Sequence, residues 1–281
     1  MKRKYLALAG FGLVLLLSLY FFGQTIPPKK KETQQISSSE MEDPGLTTDQ
    51  VLAASKQRLN SSQLQRVEQL EHSVVRGDIK NQKLRSYTQL AAFWKDTAQT
   101  FLPAAYYTAE AAKLENLEKS LTFAAHLFLD NLRGQDDPRL KKWMAGNAKE
   151  LFERVLALNP ANDSAKVGLG CCYMFGNISN NPMEGILMIR EVAERDPHNM
   201  YAQMMLGIGG VMTGQFDKAI DRFKKVVDHQ PANIEAILNL AEAYEQKGDK
   251  ASAIEWYQKS KQLIRNPEIE KELDARINSL R

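Results

Sequence analysis

The chain has 281 residues, of which 43% are hydrophobic and 25% are charged, and its formal net charge is +3. These values exclude a collagen, a low-complexity polymer and a wholly disordered protein, and two cysteines are too few for a disulfide-stapled scaffold. The charge is unevenly distributed, because residues 1–31 hold six bases and no acid, which leaves 31 bases against 34 acids in the rest. The basic character belongs to the N-terminal end alone, and nucleic-acid binding by the remainder is disfavoured.

The N-terminal segment has the pattern of a single-pass membrane anchor. Residues 1–4 form a short basic tail, residues 5–26 contain no charged side chain, and three lysines follow at 29–31. A helix over these 22 uncharged residues would be about 33 Å long, enough to cross a hydrocarbon core. A cleaved signal peptide is the alternative, but the large side chains of Phe21 and Phe22 stand where small residues would mark a cleavage site.

The bases on either side of residues 5–26 bear on orientation. Those before the span favour a cytoplasmic N-terminus with the bulk of the chain exported, and those at 29–31 favour the reverse. Because early charges usually dominate, we expect a single-pass membrane protein with the bulk of the chain on the exported side, the periplasm in a bacterium. Residues 27–46 are rich in Lys, Gln, Ser and Glu with few aliphatic side chains, which predicts a flexible linker.

From residue 47 onward the apolar residues recur at helical spacing, and a longer repeat is superimposed on them. The repeat is marked by prolines at intervals of 37 and 34 residues. An asparagine follows each proline after two residues, and a glycine follows it after 16 or 17. The three sets are Pro160, Asn162 and Gly176; Pro197, Asn199 and Gly214; Pro231, Asn233 and Gly248.

This unit resembles the tetratricopeptide repeat (TPR), a helix–turn–helix of 34 residues. The helix A pattern of that family matches Leu169-Gly170…Tyr173, Leu206-Gly207…Gly210 and Leu240-Ala241…Tyr244, and its helix B pattern matches Ala219…Phe223…Val226 and Ala253…Tyr257…Ser260. The resemblance implies an all-α, right-handed superhelical array of stacked helix pairs. It is clear over residues 160–265, degenerate over 47–159, and followed by a C-terminal capping helix over 266–281. The longer first interval is interpreted as an insertion at 177–182, in the turn between two helices.

No motif for catalysis or metal binding stands out. No two of the four histidines are four residues apart, and the only two cysteines, Cys171 and Cys172, are adjacent rather than spaced as zinc ligands. The glycine pairs near residues 168 and 207 lack the third glycine and the preceding strand of a dinucleotide-binding loop. We interpret these glycines as helix-packing positions and the cysteines as small core residues. We predict no enzyme activity, no cofactor and no metal.

The family resemblance also implies where a partner would bind, because helix A lines the concave face of such arrays. It places groove-facing side chains at the second, fifth, ninth and twelfth positions of each repeat. These are Ser164, Val167, Cys171 and Met174 in the first clear repeat, Tyr201, Met204, Ile208 and Val211 in the next, and Glu235, Leu238, Glu242 and Glu245 in the last. The predicted groove is apolar over two repeats and acidic in the third. A register shift at the insertion would instead place the apolar residues in the core.

The resemblance implies a protein–protein interaction module, and the predicted anchor at residues 5–26 would tether it to a membrane. It would act as a scaffold or assembly factor that binds a peptide or helix of a partner protein in its groove. The alternative is a structural or self-associating helical spacer without a peptide ligand, in which the C-terminal helix docks on another copy to give a homo-oligomer. Contact with the membrane is assigned to residues 5–26, and no nucleic acid is expected.

Overall fold

Thirteen α-helices and one short π-helical segment make up the part of the chain that the computed structural model describes, residues 45–76, 80–179 and 181–281. The helices are α1 (Thr48–Lys56), α2 (Ser61–Arg76), α3 (Lys80–Ala92), α4 (Phe101–Glu115), α5 (Glu118–Leu132), α6 (Pro138–Leu158), α7 (Asp163–Phe175), α8 (Met183–Arg195), α9 (Met200–Met212), α10 (Phe216–His229), α11 (Ile234–Lys247), α12 (Lys250–Leu263) and α13 (Pro267–Leu280). The π-helical segment Phe93–Thr97 follows α3. The described residues contain no strand, and the all-α prediction is confirmed.

The predicted basic tail (1–4) and membrane anchor (5–26), together with the linker up to residue 44, lie outside the described residues. Within the described ranges, no helix combines the length and the apolar character that crossing a bilayer requires. Residues 45–281 form one compact unit.

Consecutive helices pack in pairs: α3 with α4, α5 with α6, α7 with α8, α9 with α10, and α11 with α12. The first helices of successive pairs also contact one another, α5 with α7, α7 with α9, and α9 with α11. Four first helices therefore lie side by side and share one face of the unit. This arrangement confirms the tetratricopeptide-like array that the sequence predicts.

The asparagine of each repeat begins the first helix of its pair. The side-chain oxygens of Asn162, Asn199 and Asn233 each accept a hydrogen bond from the backbone N–H three residues later, at 2.7, 3.0 and 3.0 Å. Such a cap satisfies one of the N–H groups that a helix start leaves unpaired and contributes about 1 kcal/mol. The proline two residues earlier lies in the preceding turn, where its missing N–H is not needed.

Glycines inside the helices allow close contacts between them. A Cβ atom on Gly168 would overlap the ring of Phe152, and one on Gly207 would overlap the ring of Phe223. Both rings are completely buried. The interpretation of these glycines as helix-packing positions is confirmed, since a larger side chain would push an aromatic ring out of the core.

The connection between α7 and α8 is the longest among the last three pairs. It runs over residues 176–182, whereas residues 213–215 join α9 to α10 and residues 248–249 join α11 to α12. The additional residues therefore lie between two paired helices, as the sequence predicts. Beyond the connection, a Cβ atom on Gly185 would overlap the carbonyl oxygen of Gly170, so α7 and α8 approach more closely than alanine would permit.

The last helix, α13, covers the end of the array. Leu273, Ile277 and Leu280 form its buried stripe, and the helix packs on α12. Its remaining side chains are mostly polar and exposed. This apolar edge is therefore packed against the array.

Candidate functional site

A cleft of about 460 Å³ lies on the face shared by the first helices of the pairs. We call it the first-helix cleft. Asp130 and Arg133 contribute to its wall from the end of α5, Phe175 from α7, Tyr201 from α9 and Glu235 from α11. Clefts of about 300–1,000 Å³ are the usual size of binding sites in proteins. Four helix pairs therefore contribute to one site of binding size.

Arg133 pairs with Glu235 within the lining of this cleft. Its Nη1 donates a hydrogen bond to Oε1 of Glu235 at 2.8 Å, and its guanidinium carbon lies 5.9 Å from the ring centroid of Phe175. The two charged side chains are 42% and 54% exposed, so solvent screens the ion pair and it contributes at most about 1 kcal/mol. A ligand can therefore replace Glu235 as the partner of Arg133 at little cost.

Tyr201 and Cys171 line the inner part of the cleft. Burial raises the pKa of the Cys171 thiol to about 12, although its hydrogen bond with Tyr201 acts in the opposite direction. Burial also raises the pKa of the Tyr201 phenol. Both groups are uncharged at neutral pH, so they shape the site and supply no nucleophile.

Methionines provide the apolar part of the wall. Met200 is half-buried, and Met204 and Met205 are largely buried, with 5% and 7% of their surface exposed. Leu129 of α5 adds a branched side chain on the opposite wall. Because methionine is unbranched and polarizable, this wall can adapt to apolar side chains of different shape.

The structure brings only some of the predicted groove residues together. Four of them line the first-helix cleft, namely Cys171, Tyr201, Met204 and Glu235. Three other predicted groove residues do not line the cleft, and the prediction is corrected for them. They are buried in the main core, where they contact neighbouring helices: Val167, Met174 and Ile208. Four more lie outside the cleft, with Ser164 and Glu242 exposed and Val211 and Leu238 half-buried.

Glu245 is engaged by the C-terminal helix. Arg276 of α13 donates from Nε and Nη2 to its two carboxylate oxygens at 2.9 and 2.8 Å, and the hydroxyl of Tyr257 donates to it at 2.9 Å. Glu235 is likewise paired with Arg133. The predicted acidic groove is therefore neutralised at both ends, because bases from elements outside this repeat reach its carboxylates.

Asp130, Arg133 and Phe175 line the cleft but are not among the predicted groove residues. The repeat pattern is clear only from residue 160 onward, so it gave no groove positions on α5, which belongs to the earlier, degenerate region. Phe175 lies in the clear region, directly after the predicted Met174. The groove positions of the repeat, counted from the start of α5, include Leu129, which does line the cleft. Arg133 lies about one turn further, just beyond the end of the helix, where the repeat pattern carries no information.

Two histidines that are distant in sequence also meet. Nδ1 of His198 lies 3.0 Å from Nε2 of His229, whose own Nδ1 lies 3.0 Å from the carbonyl oxygen of Lys225. In the neutral tautomer of His229 that donates from Nδ1 to this carbonyl oxygen, Nε2 accepts from the Nδ1–H of His198. Over the residues with described positions, no group of three or more His, Cys, Asp or Glu side chains is arranged to hold a metal ion.

Comparison with known proteins gives partial matches. Residues 208–279 match the family model described as "Domain of unknown function (DUF6340)". A homolog of the protein CTR9 from Arabidopsis thaliana is 29% identical over 133 residues, which are 46% of this chain and 12% of that protein. The chain therefore spans only about an eighth of the length of that relative.

Solved structures match more of the chain. A thermophilic TPR protein from Thermus thermophilus is similar with a TM-score of 0.50 at 18% identity, covering 72% of this chain and 98% of that one. MamA from Desulfovibrio magneticus RS-1, from residue 41 to its end, gives a TM-score of 0.46 at 23% identity, covering 66% and 96%. The likeness to the Thermus protein concerns the fold, which is a tetratricopeptide-like helical repeat array.

Proposed function

We propose that this protein is a protein–protein interaction module that receives a segment of a partner protein in the first-helix cleft. The observation that carries the proposal is the cleft itself, about 460 Å³ in volume and lined by four successive first helices. It combines the adaptable apolar wall of Met204 and Met205 with the charged groups of Asp130, Arg133 and Glu235. A few directed polar groups on an apolar surface are the usual composition of a recognition site.

The partner segment would use both parts of the cleft. An apolar side chain would pack on the methionines, and a carboxylate or carbonyl oxygen would accept hydrogen bonds from Arg133. Arg133 donates one hydrogen bond to Glu235, and a guanidinium group carries five N–H donors. When an oxygen of the partner replaces Glu235 beside Arg133, the carboxylates of Glu235 and of the partner both stay within reach of solvent. No charge is therefore buried unpaired.

A site-specific cross-linking experiment tests this function. A photo-crosslinkable phenylalanine analogue replaces Phe175 in the cleft of the full chain, and in a matched control it replaces Leu158, which is 46% exposed and lies outside the cleft. We expect a discrete cross-linked protein from position 175 that is absent from position 158 and weakened by Arg133→Glu. Identical adducts from both positions would contradict the proposal. A stable oligomer of the full chain with no adduct at 175 would support a structural spacer instead.

We further propose that residues 5–26 tether the array to a membrane, with the array on the exported side. The support is the uncharged run between two basic clusters. The full chain should resist extraction from membranes by alkaline carbonate, and a variant lacking 5–26 should be released. A reporter enzyme that works only outside the cytoplasm should show activity when it is fused after Arg281. Release of the full chain by carbonate would contradict the tether. Activity of a second reporter, one that works only in the cytoplasm, would contradict the proposed orientation.

A further inference from the structure

A second cleft, also of about 460 Å³, lies between α8 and α10. These are the second helices of two successive pairs, and α9 lies between them as the floor. We call it the second-helix cleft. It has no lining residue in common with the first-helix cleft, so the array has two separate recesses on different helices.

Basic side chains dominate the second-helix cleft. Arg190 comes from α8, and Lys218, Arg222 and Lys225 come from one side of α10. The carboxylates that line the same cleft are Glu194 and Asp221. Within the described ranges, neither these bases nor these acids form an ion pair. The excess of positive charge is therefore left for a ligand.

A buried amide holds one of these bases in place. Gln203 of α9 is completely buried, and its Oε1 accepts a hydrogen bond from Nη1 of Arg222 at 2.6 Å. Its Nε2 donates to the carbonyl oxygen of Pro197 at 3.0 Å, so both ends of the amide are satisfied. Because Gln203 fixes the guanidinium through one N–H, the remaining donors are oriented before a ligand arrives. A planar guanidinium fixed in this way suits a carboxylate, which it can bind through two parallel hydrogen bonds.

Apolar side chains share the cleft with these charges. Met183 and Ile186 of α8 and Leu206 of α9 line it, and Met183 is 43% exposed. The lining contains no aromatic ring on which a nucleic-acid base could stack, and its two carboxylates would repel a string of phosphates. The chemistry instead matches a protein segment with both carboxylates and apolar side chains.

We propose that the second-helix cleft binds an acidic amphipathic segment of a partner protein. Carboxylates of the segment pair with Arg222, Arg190 and Lys225, and its apolar side chains pack on Ile186 and Leu206. This site does not depend on the function proposed for the first-helix cleft. An array with both sites can hold two segments at once, which is what a scaffold requires.

Fluorescence anisotropy with the purified full chain tests the proposal. The probe is a labelled peptide of repeated Leu-Glu-Glu-Leu units, and its control is the same peptide with Gln in place of Glu. We expect the Glu peptide to bind at least about tenfold more tightly than the Gln peptide, and Arg190→Glu or Lys225→Glu to weaken it by about tenfold each. Both substituted side chains are exposed, so the variants should fold, which circular dichroism checks. Lys271→Glu, a matched charge reversal on exposed α13, should leave the affinity unchanged.

Arg133→Glu separates this site from the first-helix cleft. If it abolishes binding of the Glu peptide while Arg190→Glu does not, the peptide occupies the first-helix cleft and the proposal is overturned. Equal losses in Lys271→Glu and Arg190→Glu would show non-specific attraction and also overturn it. The proposal is also overturned if single-stranded DNA or inorganic phosphate displaces the probe more strongly than the unlabelled Glu peptide does. It is overturned as well if the Glu peptide does not bind at all.

Discussion

Arg133, which follows α5, donates a hydrogen bond to Glu235 of α11 at 2.8 Å, although 102 residues separate them in the sequence. Two helix pairs lie between these helices along the chain. The stacking therefore turns enough for the end of one first helix to meet the start of another three pairs later. The first-helix cleft exists because of this turn, and both members of the ion pair line it.

The strength of this contact can be measured with a double-mutant cycle on Arg133→Ala and Glu235→Ala. Both side chains are about half exposed, so we expect a coupling free energy below about 1 kcal/mol that decreases with added salt. Urea unfolding of the four proteins at low and high salt gives the value. A coupling well above about 2 kcal/mol would mean that the pair is desolvated and that a partner could not readily displace Glu235.

Close helix packing predicts opposite effects for two Gly→Ala substitutions. In Gly207→Ala the new methyl group overlaps the Phe223 ring, and we expect a loss of about 1–3 kcal/mol of unfolding free energy. Gly146, inside α6, has no heavy atom within 4 Å of the added Cβ, so Gly146→Ala should stabilise by about 0.5–1 kcal/mol through helix propensity. Thermal or urea unfolding checks both. Equal effects would show that α9 and α10 are not in close contact.

The caps of the first helices predict a graded series at Asn233. Its side-chain oxygen accepts the N–H of Ala236 at 3.0 Å. Asn233→Ala should cost about 1 kcal/mol of unfolding free energy, and Asn233→Asp should keep most of the stability, since aspartate caps equally well. Chemical denaturation of the three proteins distinguishes them. Equal destabilisation by both substitutions would assign the effect to the Asn233 amide, which donates to Gln230 at 2.8 Å, and not to the cap.

The two cysteines should be inert in the folded protein. Cys171 and Cys172 are free and buried, and burial raises the pKa of both thiols. Thiol reactions proceed through the thiolate, so we expect no labelling by iodoacetamide at pH 8 in buffer and labelling of both residues in urea. Rapid labelling of the native chain, measured by mass spectrometry, would contradict the core position of these residues.

The same burial predicts a loss of stability at high pH. The unfolded chain releases the Cys171 proton near the ordinary thiol pKa of about 8.5, whereas the folded chain holds it up to about 12. The unfolded state therefore binds fewer protons in this window, and stability that is complete below about pH 8.5 decreases as the pH rises toward 12. Urea midpoints are measured from pH 8 upward. The midpoint of the Cys171→Ala, Cys172→Ala double variant should decrease less steeply with pH than that of the wild type. Parallel declines would contradict this origin.

Local residue patterns were sufficient to predict the helices and their pairing. A helix begins at each asparagine that stands two residues after a turn proline, because its side-chain oxygen accepts the backbone N–H three residues later. These residues are Asn162, Asn199 and Asn233. Gly170 and Gly207 marked close packing because each lies ten residues after the proline of its repeat. Such information lies within a few turns of the chain, which is why the all-α array followed from the sequence.

The location of the cleft depends on how the helix pairs stack. A repeat register gives the face of each helix but not how far neighbouring helices cover it, so Val167 and Ile208 became core residues. The pairing of Arg133 with Glu235, of Arg276 with Glu245, and of His198 with His229 depends on the turn of the whole array. The amino-acid pattern was enough to define the elements and their order. The cleft and its charges arise from the accumulated angles between stacked pairs, which no local pattern encodes.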